Sequence, residues 1–264
     1  MGKTSSTSRL NLPGRYAWAF AEIIGPVNLL FILYVLPSKV KPEPAADSSL
    51  LGTGLSLQME IMGVLYVLHY VNRALVTPLY LAPSISPIHP LVSAMMATFQ
   101  FVNSSNLACW LVYTSLAIDF KEIRIFSMGA VFGLAVFFTG FVGNVRADAR
   151  LFDLRRGAAK RKAKSEGKAL ITYDKVYVIP PAQGMFKHIL YPHYAFEWLE
   201  WTGFYILGGS WGLGWGYESA ALWFVIVEFA TMLPRTVTGR QWYEQKFGKR
   251  AVSGRAGVIP WLNL

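Results

Sequence analysis

Six long apolar stretches separated by short polar ones constrain this chain more than any other feature. They cover residues 16–36, 55–75, 90–118, 125–143, 189–211 and 217–233. A helix needs about 20 apolar residues to cross the roughly 30 Å core of a bilayer, and these stretches meet or approach that length. Within a bilayer the backbone must satisfy its own hydrogen bonds, which leaves helices or closed barrels. The ten-residue alternation of a barrel strand is absent. The expectation is an all-α, polytopic membrane helix bundle of about six spans, forming a single domain over residues 1–264. A seventh segment, 236–247, is amphipathic and basic, and reads either as a short interfacial helix or as the start of a tilted last helix. Composition agrees with a membrane chain. Only 15% of residues are charged, against about 25% in a soluble domain.

The charge is unevenly placed. Net charge is +10, and residues 146–168 hold nine Lys/Arg against three acids. Residues 235–255 hold six Lys/Arg against one acid. Two spans separate these segments, so they lie on one side, which the positive-inside rule assigns to the cytosol. The arm over residues 1–15, with Lys3, Arg9 and Arg15, falls on the same side. It shows no signal peptide. Topology alone is one reading of this charge; the other is that part of it also holds an anionic cofactor.

Polar groups inside the spans carry the functional signal, because each is costly in lipid. They are Glu22 in the first span, then Glu60, His69, Tyr70 and Arg73 in the second, and Asn103 and Asn106 in the third. The fourth ends in Asn144, followed by Asp148; the fifth carries His193, Glu197 and Glu200; the sixth carries Glu228 and runs into Arg235. Asn144, Asp148 and Arg155 share a helix face if the fourth helix continues past Gly143. His193, Glu197 and Glu200 form a second stripe, and Arg235, Gly239 and Tyr243 a third. Closed around one cavity, these stripes make a cationic pocket open to the cytosol. Mutual pairing that merely holds the bundle together is the competing reading for each residue taken singly.

Several chemistries lack their motifs. There is no P-loop, HExxH or GxSxG, and GGSWGLGWG (208–216) is a turn between spans rather than a dinucleotide fingerprint. The histidines at 69, 89, 188 and 193 have no metal-ligand spacing, and one cysteine, Cys109, excludes a multi-cysteine site; it reads as a small buried hydrophobe. No metal and no nucleic-acid partner is expected.

NVRADARLFDLRR (144–156), VYVIPPAQGMF (176–186), YPHYAFEWLEWTGF (191–204) and RQWYEQKFGKRAVSGRAGVIP (240–260) together resemble the carboxyl half of the steroid 5α-reductase family. Upstream, LPGRYAWAFAEIIGP (12–26) and LHYVNRALVTPLY (68–80) resemble that family's two catalytic segments. The resemblance implies a seven-helix enzyme that uses NADPH, usually in the endoplasmic reticulum membrane. It implies that Glu22 and Tyr70 are catalytic, and that Asn144, Asp148, Arg155, Glu197, Glu200, Arg235, Tyr243 and Arg255 hold the cofactor. His193 falls in the same cofactor segment, and Arg73 and Asn103 fall near matching polar positions of the pocket. Four local departures stand out: His193 where the family often has Asn, Phe196 where it has Gly, Gly239 where it commonly has His, and one extra residue in the turn at 181–184. The family also has a helix before the segment matching Leu12, so this chain reads as shortened at its amino terminus.

The implied reaction is hydride transfer from NADPH to the β-carbon of an α,β-unsaturated carbonyl lipid, a 3-oxo-4-ene steroid first among candidates. Tyr70 would donate to the carbonyl oxygen with Glu22 in support. Polyprenals and enoyl thioesters are alternative substrates. A lipid-binding or transport protein, or a non-catalytic subunit, is the alternative class.

Overall fold

A computed structural model describes residues 8–40, 49–118, 120 and 122–260. Lys3 lies outside the described residues. The described chain is helical, with helices α1 (Gly14–Val40), α2 (Leu57–Tyr70), α3 (Pro90–Ser115), α4 (Met128–Ser165), α5 (Pro192–Ser210), α6 (Ala220–Phe247) and a single turn, α7 (Lys249–Val252). Three of them, α1, α4 and α6, are long and apolar enough to cross a membrane by length and composition. The protein is an integral membrane helix bundle.

Helix starts follow local chemistry. His89 caps α3 by accepting from the Leu91 N–H at 3.3 Å, with Pro90 at the first helical position, where its missing donor costs nothing. Ser127 caps α4 and Ser219 caps α6. α2 does not stop at Tyr70 but widens into π-helical turns over Val71–Leu81. Pro78 lies within that stretch and offers no N–H, so the regular ladder is broken there. The segment 236–247 is not a separate helix: α6 runs through Pro234 to Phe247. α4 has 38 residues, about 57 Å at 1.5 Å per residue. It therefore extends well past a bilayer, as the expectation for Asn144, Asp148 and Arg155 required. Residues 189–191 are not helical; they pair with the extended carboxyl-terminal segment through Leu190 N to Ala256 O at 3.0 Å and Tyr191 N to Gly257 O at 2.9 Å.

Small residues let backbones touch. A methyl on Gly140 of α4 would lie 2.3 Å from the Glu200 nitrogen, and one on Gly203 of α5 would lie 2.3 Å from the Phe137 nitrogen. α4 and α5 thus pack backbone to backbone, which suits helices that lipid itself does not drive together. The core between α2, α3, α5 and α6 is aromatic: Tyr66, Trp201 and Phe224 are buried and in mutual ring contact. Cys109 is half-buried rather than buried, and Asn106 lies on the exposed side of α3.

Three arginines from two helices converge on the end of the π-helical stretch. Arg15 of α1 donates to the carbonyls of Leu79 (3.1 Å), Ala82 (2.8 Å) and Pro83 (3.1 Å). Arg155 donates to Ser84 O at 3.0 Å, and Arg156 donates to Leu81 O. Cations complete the unpaired carbonyls at a helix end. This contact puts the start of α1, the end of α2 and the extended part of α4 on one side of the bundle. The opposite side is tied by Glu60, whose carboxylate accepts from Ser49 Oγ and Thr53 Oγ1, both at 2.7 Å, and from the Leu50 N–H at 2.8 Å. Glu60 is therefore a loop anchor, apart from the other buried acids.

Candidate active site

Five helices bring one charged cluster together inside the bundle. At its centre Glu197 of α5 faces Arg73 of the π-helical stretch at 3.3 Å, and the Asn144 side-chain amide of α4 donates to it at 3.2 Å. Arg73 Nε also lies 3.7 Å from Glu22 of α1, and its guanidinium sits over the Trp18 ring at 5.4 Å. His69 Nδ1 is 2.9 Å from Glu200 Oε1, and its Nε2 is 3.7 Å from Glu197. Glu22, Glu197 and Glu200 are each under 5% exposed. Carboxylates buried so deeply persist only with partners. Arg73 supplies the shared cation for Glu22 and Glu197, and His69 supplies the partner for Glu200.

Tyr70 lies at the last turn of α2, buried between Tyr66 (ring centroids 4.5 Å), His69 (4.9 Å) and Trp201 (6.3 Å). Glu22 is linked to α3 by Gln100, whose Nε2 donates to Glu22 Oε2 at 2.6 Å. Tyr70 lies within electrostatic reach of Glu22 and Arg73, so the three share one neighbourhood.

The residues assigned to the cofactor divide into two groups. Asn144, Asp148, His193, Glu197 and Glu200 lie together where α4 meets α5. Asn144 Nδ2 also donates to the His193 carbonyl at 3.0 Å, and Asp148 is 4.0 Å from His193 Nδ1. Arg155 and Arg255 lie elsewhere. Arg155 is taken up by the carbonyls of Ser84 and Tyr173, and Arg255 donates to Pro180 O at 2.7 Å and to Ala251 O. Both act as clasps between segments, and burial pushes the Arg255 guanidinium below its ordinary pKa. Arg235 is exposed on α6 and makes no ion pair among the described residues. Tyr243 packs in an aromatic group with Tyr191 and Phe247. Asn103 of α3 lies beside Tyr66 of α2.

The departures from the family pattern have physical reasons. A methyl on Gly239 would lie 2.1 Å from Tyr191 Oη, so the Tyr191 phenol fills the room a larger residue would take. The Phe196 ring lies against Gly143, where a methyl would be 2.3 Å from it. Residues 181–184 form a tight turn, with Gly184 at φ +53° and Gln183 N–H donating to Pro181 O at 2.8 Å.

Two members of the cluster were not marked as site residues by sequence. His69 is visible as a polar group in a span, but its pairing with Glu200 is not. Gln100 lacks any signal beyond being an amide in an apolar run. The described residues contain no group of three His, Cys, Asp or Glu able to hold a metal.

Residues 86–263 match the family described as 3-oxo-5-alpha-steroid 4-dehydrogenase. The chain belongs to that family. It is 31% identical over 99% of its length to a Schizosaccharomyces pombe protein named "Uncharacterized protein C9.08c", covering 90% of that protein. It is 27% identical to the tomato (Solanum lycopersicum) "Steroid 5-alpha-reductase DET2", over 98% of this chain and 85% of that one. It is also 27% identical to the rat (Rattus norvegicus) "3-oxo-5-alpha-steroid 4-dehydrogenase 1", over 89% of this chain and 80% of that one. The named relatives in that family are steroid oxidoreductases, and membership places this membrane protein among the oxidoreductases.

Proposed function

We propose that this chain is an NADPH-dependent reductase that saturates the carbon–carbon double bond of an α,β-unsaturated carbonyl lipid, a 3-oxo-4-ene steroid first among them. The reading places it in the endoplasmic reticulum membrane with its cofactor site toward the cytosol. The observation that carries it is the Glu22–Arg73–Glu197–Asn144 chain of contacts, with Tyr70 in electrostatic reach of Glu22 and Arg73.

The residues present fit a nicotinamide dinucleotide. His193 Nδ1 is buried and hydrogen-bonds to nothing in the described chain, and Arg235 is a cation without an ion pair. An anionic, hydrogen-bonding ligand answers both needs. Asn144, Asp148, His193, Glu197 and Arg235 would hold it; Arg155 and Arg255 would shape the walls through the segments they clasp. NADPH, when bound, supplies the hydride.

The protein's own part is electrostatic. As the β-carbon is reduced, negative charge grows on the carbonyl oxygen of the lipid. Tyr70 O–H donates to that oxygen, and an ordinary phenol keeps its proton at neutral pH. Arg73 holds Glu22 in place, and Gln100 fixes its second oxygen, so the pair arrives preorganised. Protonation of the α-carbon completes the reaction. The test is absorbance of NADPH at 340 nm with purified protein and a panel of 3-oxo-4-ene sterols, polyprenals and enoyl thioesters. Oxidation that depends on one of these lipids supports the reading; none with any of them refutes it.

A further inference from the structure

Three buried polar atoms near Glu22 and Tyr70 make no hydrogen bond among the described residues: Tyr66 Oη, Gln100 Oε1 and Asn103 Nδ2. Tyr66 is fully buried and Gln100 is 5% exposed. An unmade hydrogen bond in the interior costs about 1–3 kcal/mol per group. Three such groups at one place call for a shared partner.

They do share a place. Tyr66 lies one turn before Tyr70 on α2, and Gln100 and Asn103 lie one turn apart on α3. A methyl added to Gly25 of α1 would lie 2.7 Å from Gln100 Oε1 and 2.9 Å from Tyr66 Oη. Both atoms thus converge on the bare backbone of Gly25, one turn beyond Glu22. The Asn103 carboxamide and the Tyr70 phenol both approach the Tyr66 phenol, and Gln100 approaches Tyr70, but none of these contacts closes a well-formed hydrogen bond on Tyr66 Oη, Gln100 Oε1 or Asn103 Nδ2. The amide of Gln100 has only one workable orientation. Its Nε2 donates to Glu22 at 2.6 Å, and a carboxylate only accepts, so Oε1 must point the other way.

The donor and acceptor inventory selects the ligand. Tyr66 and Asn103 offer hydrogens, and Gln100 Oε1 offers a lone pair. A carbonyl oxygen accepts but gives nothing to Gln100. A metal ion would meet the Asn103 N–H₂ face with repulsion. An alcohol oxygen accepts two hydrogen bonds and donates one, which satisfies all three groups. We propose that Tyr66, Gln100 and Asn103, around Gly25, form a binding site for one hydroxyl oxygen, adjacent to the Glu22–Tyr70 pair. Two sources carry that chemistry: a hydroxyl on the lipid substrate, or a water locked in the bundle, which commonly makes about three hydrogen bonds. As a substrate site, the proposal rests on Glu22 and Tyr70 binding the carbonyl. Tyr66 and Tyr70 are neighbouring rings, with centroids 4.5 Å apart, so the hydroxyl would lie near the carbonyl, at the same end of the sterol.

The experiment uses the full chain in detergent, with Tyr66→Phe, Asn103→Leu and the double variant. Binding of 3-oxo-4-ene sterols, with or without a hydroxyl on the first two rings, is read by thermal shift, which needs no turnover. A substrate hydroxyl predicts wild-type affinity about tenfold higher for the hydroxylated sterol, a preference that either variant erases. The affinity for the sterol without the hydroxyl should stay within about twofold. A locked water predicts no such preference. Both single variants then lower the melting temperature, and the double variant adds little, because both remove the same water. Equal affinities together with unchanged or simply additive melting temperatures overturn the site. If no enone lipid binds or turns over, the proposed activity fails, and the melting temperatures still decide whether an oxygen is held here.

Discussion

Replacing Arg73 with Met removes the cation that pairs with both Glu22 and Glu197 among the described residues, while keeping a long side chain. At 3.3 Å from Glu197 and 3.7 Å from Glu22, the gross attractions are about 5 and about 4.5 kcal/mol at an effective dielectric near 20. Desolvation offsets most of this, and breaking a buried pair by removing one partner costs about 3–5 kcal/mol. The Arg73 side chain is 21% exposed, so water screens part of the field and the lower end, about 3 kcal/mol, applies. For a chain of this size that corresponds to a melting temperature lower by about 6–12 °C. Intrinsic tryptophan fluorescence during heating in detergent reads it. The double variant Arg73→Met with Glu197→Gln should recover part of the loss, because it no longer leaves that carboxylate unpaired. A melting temperature within 2 °C of wild type for Arg73→Met would refute the reasoning that this cation holds the cluster together.

Tyr70→Phe keeps the ring contacts and removes one donor, so turnover should fall by about 10²–10³ with NADPH binding largely intact; single-turnover kinetics beside cofactor titration check both halves. Glu22→Gln should fall by orders of magnitude too, and the double variant should lose far less than the product, since the two act as a unit. Glu197→Gln should weaken NADPH binding, measured by fluorescence titration; unchanged affinity with unchanged turnover would leave Glu197 as structural glue. Gly140→Ala should destabilise by about 1–3 kcal/mol, because its methyl meets the Glu200 backbone at 2.3 Å, whereas Gly157→Ala, with its nearest neighbour at 3.4 Å, should be tolerated. Thermal melts of the two variants side by side give the comparison.

The fold was legible where lipid imposes its own rule. Long apolar runs had to be helices, and the charge bias set which helix ends meet; the convergence of Arg15, Arg155 and Arg156 on residues 79–84 agrees with that grouping. The polar stripes on α4 and α5 were legible because residues three and four apart share a face, and Asn144 does meet Glu197. The roles of Arg155 and Arg255 were not, because their partners are backbone carbonyls, which every residue has and no pattern marks. The π-helical turns after Tyr70 were equally hidden, since a shift from four to five residues leaves little trace beyond Pro78. Gln100 escaped notice for a related reason. Its place against Glu22 depends on how α1 and α3 pack, and pairing across helices is not written in the spacing of either one.

The most direct test of the central claim follows the hydride itself. Purified protein in detergent is incubated with an enone lipid and NADPH carrying deuterium at the transferable position of C4, and the product is examined by mass spectrometry and NMR. The account predicts a saturated product with one deuterium, located at the former β-carbon, and a proton from solvent at the α-carbon. Recovery of unreduced lipid, or a product reduced at the carbonyl instead of the double bond, would contradict it.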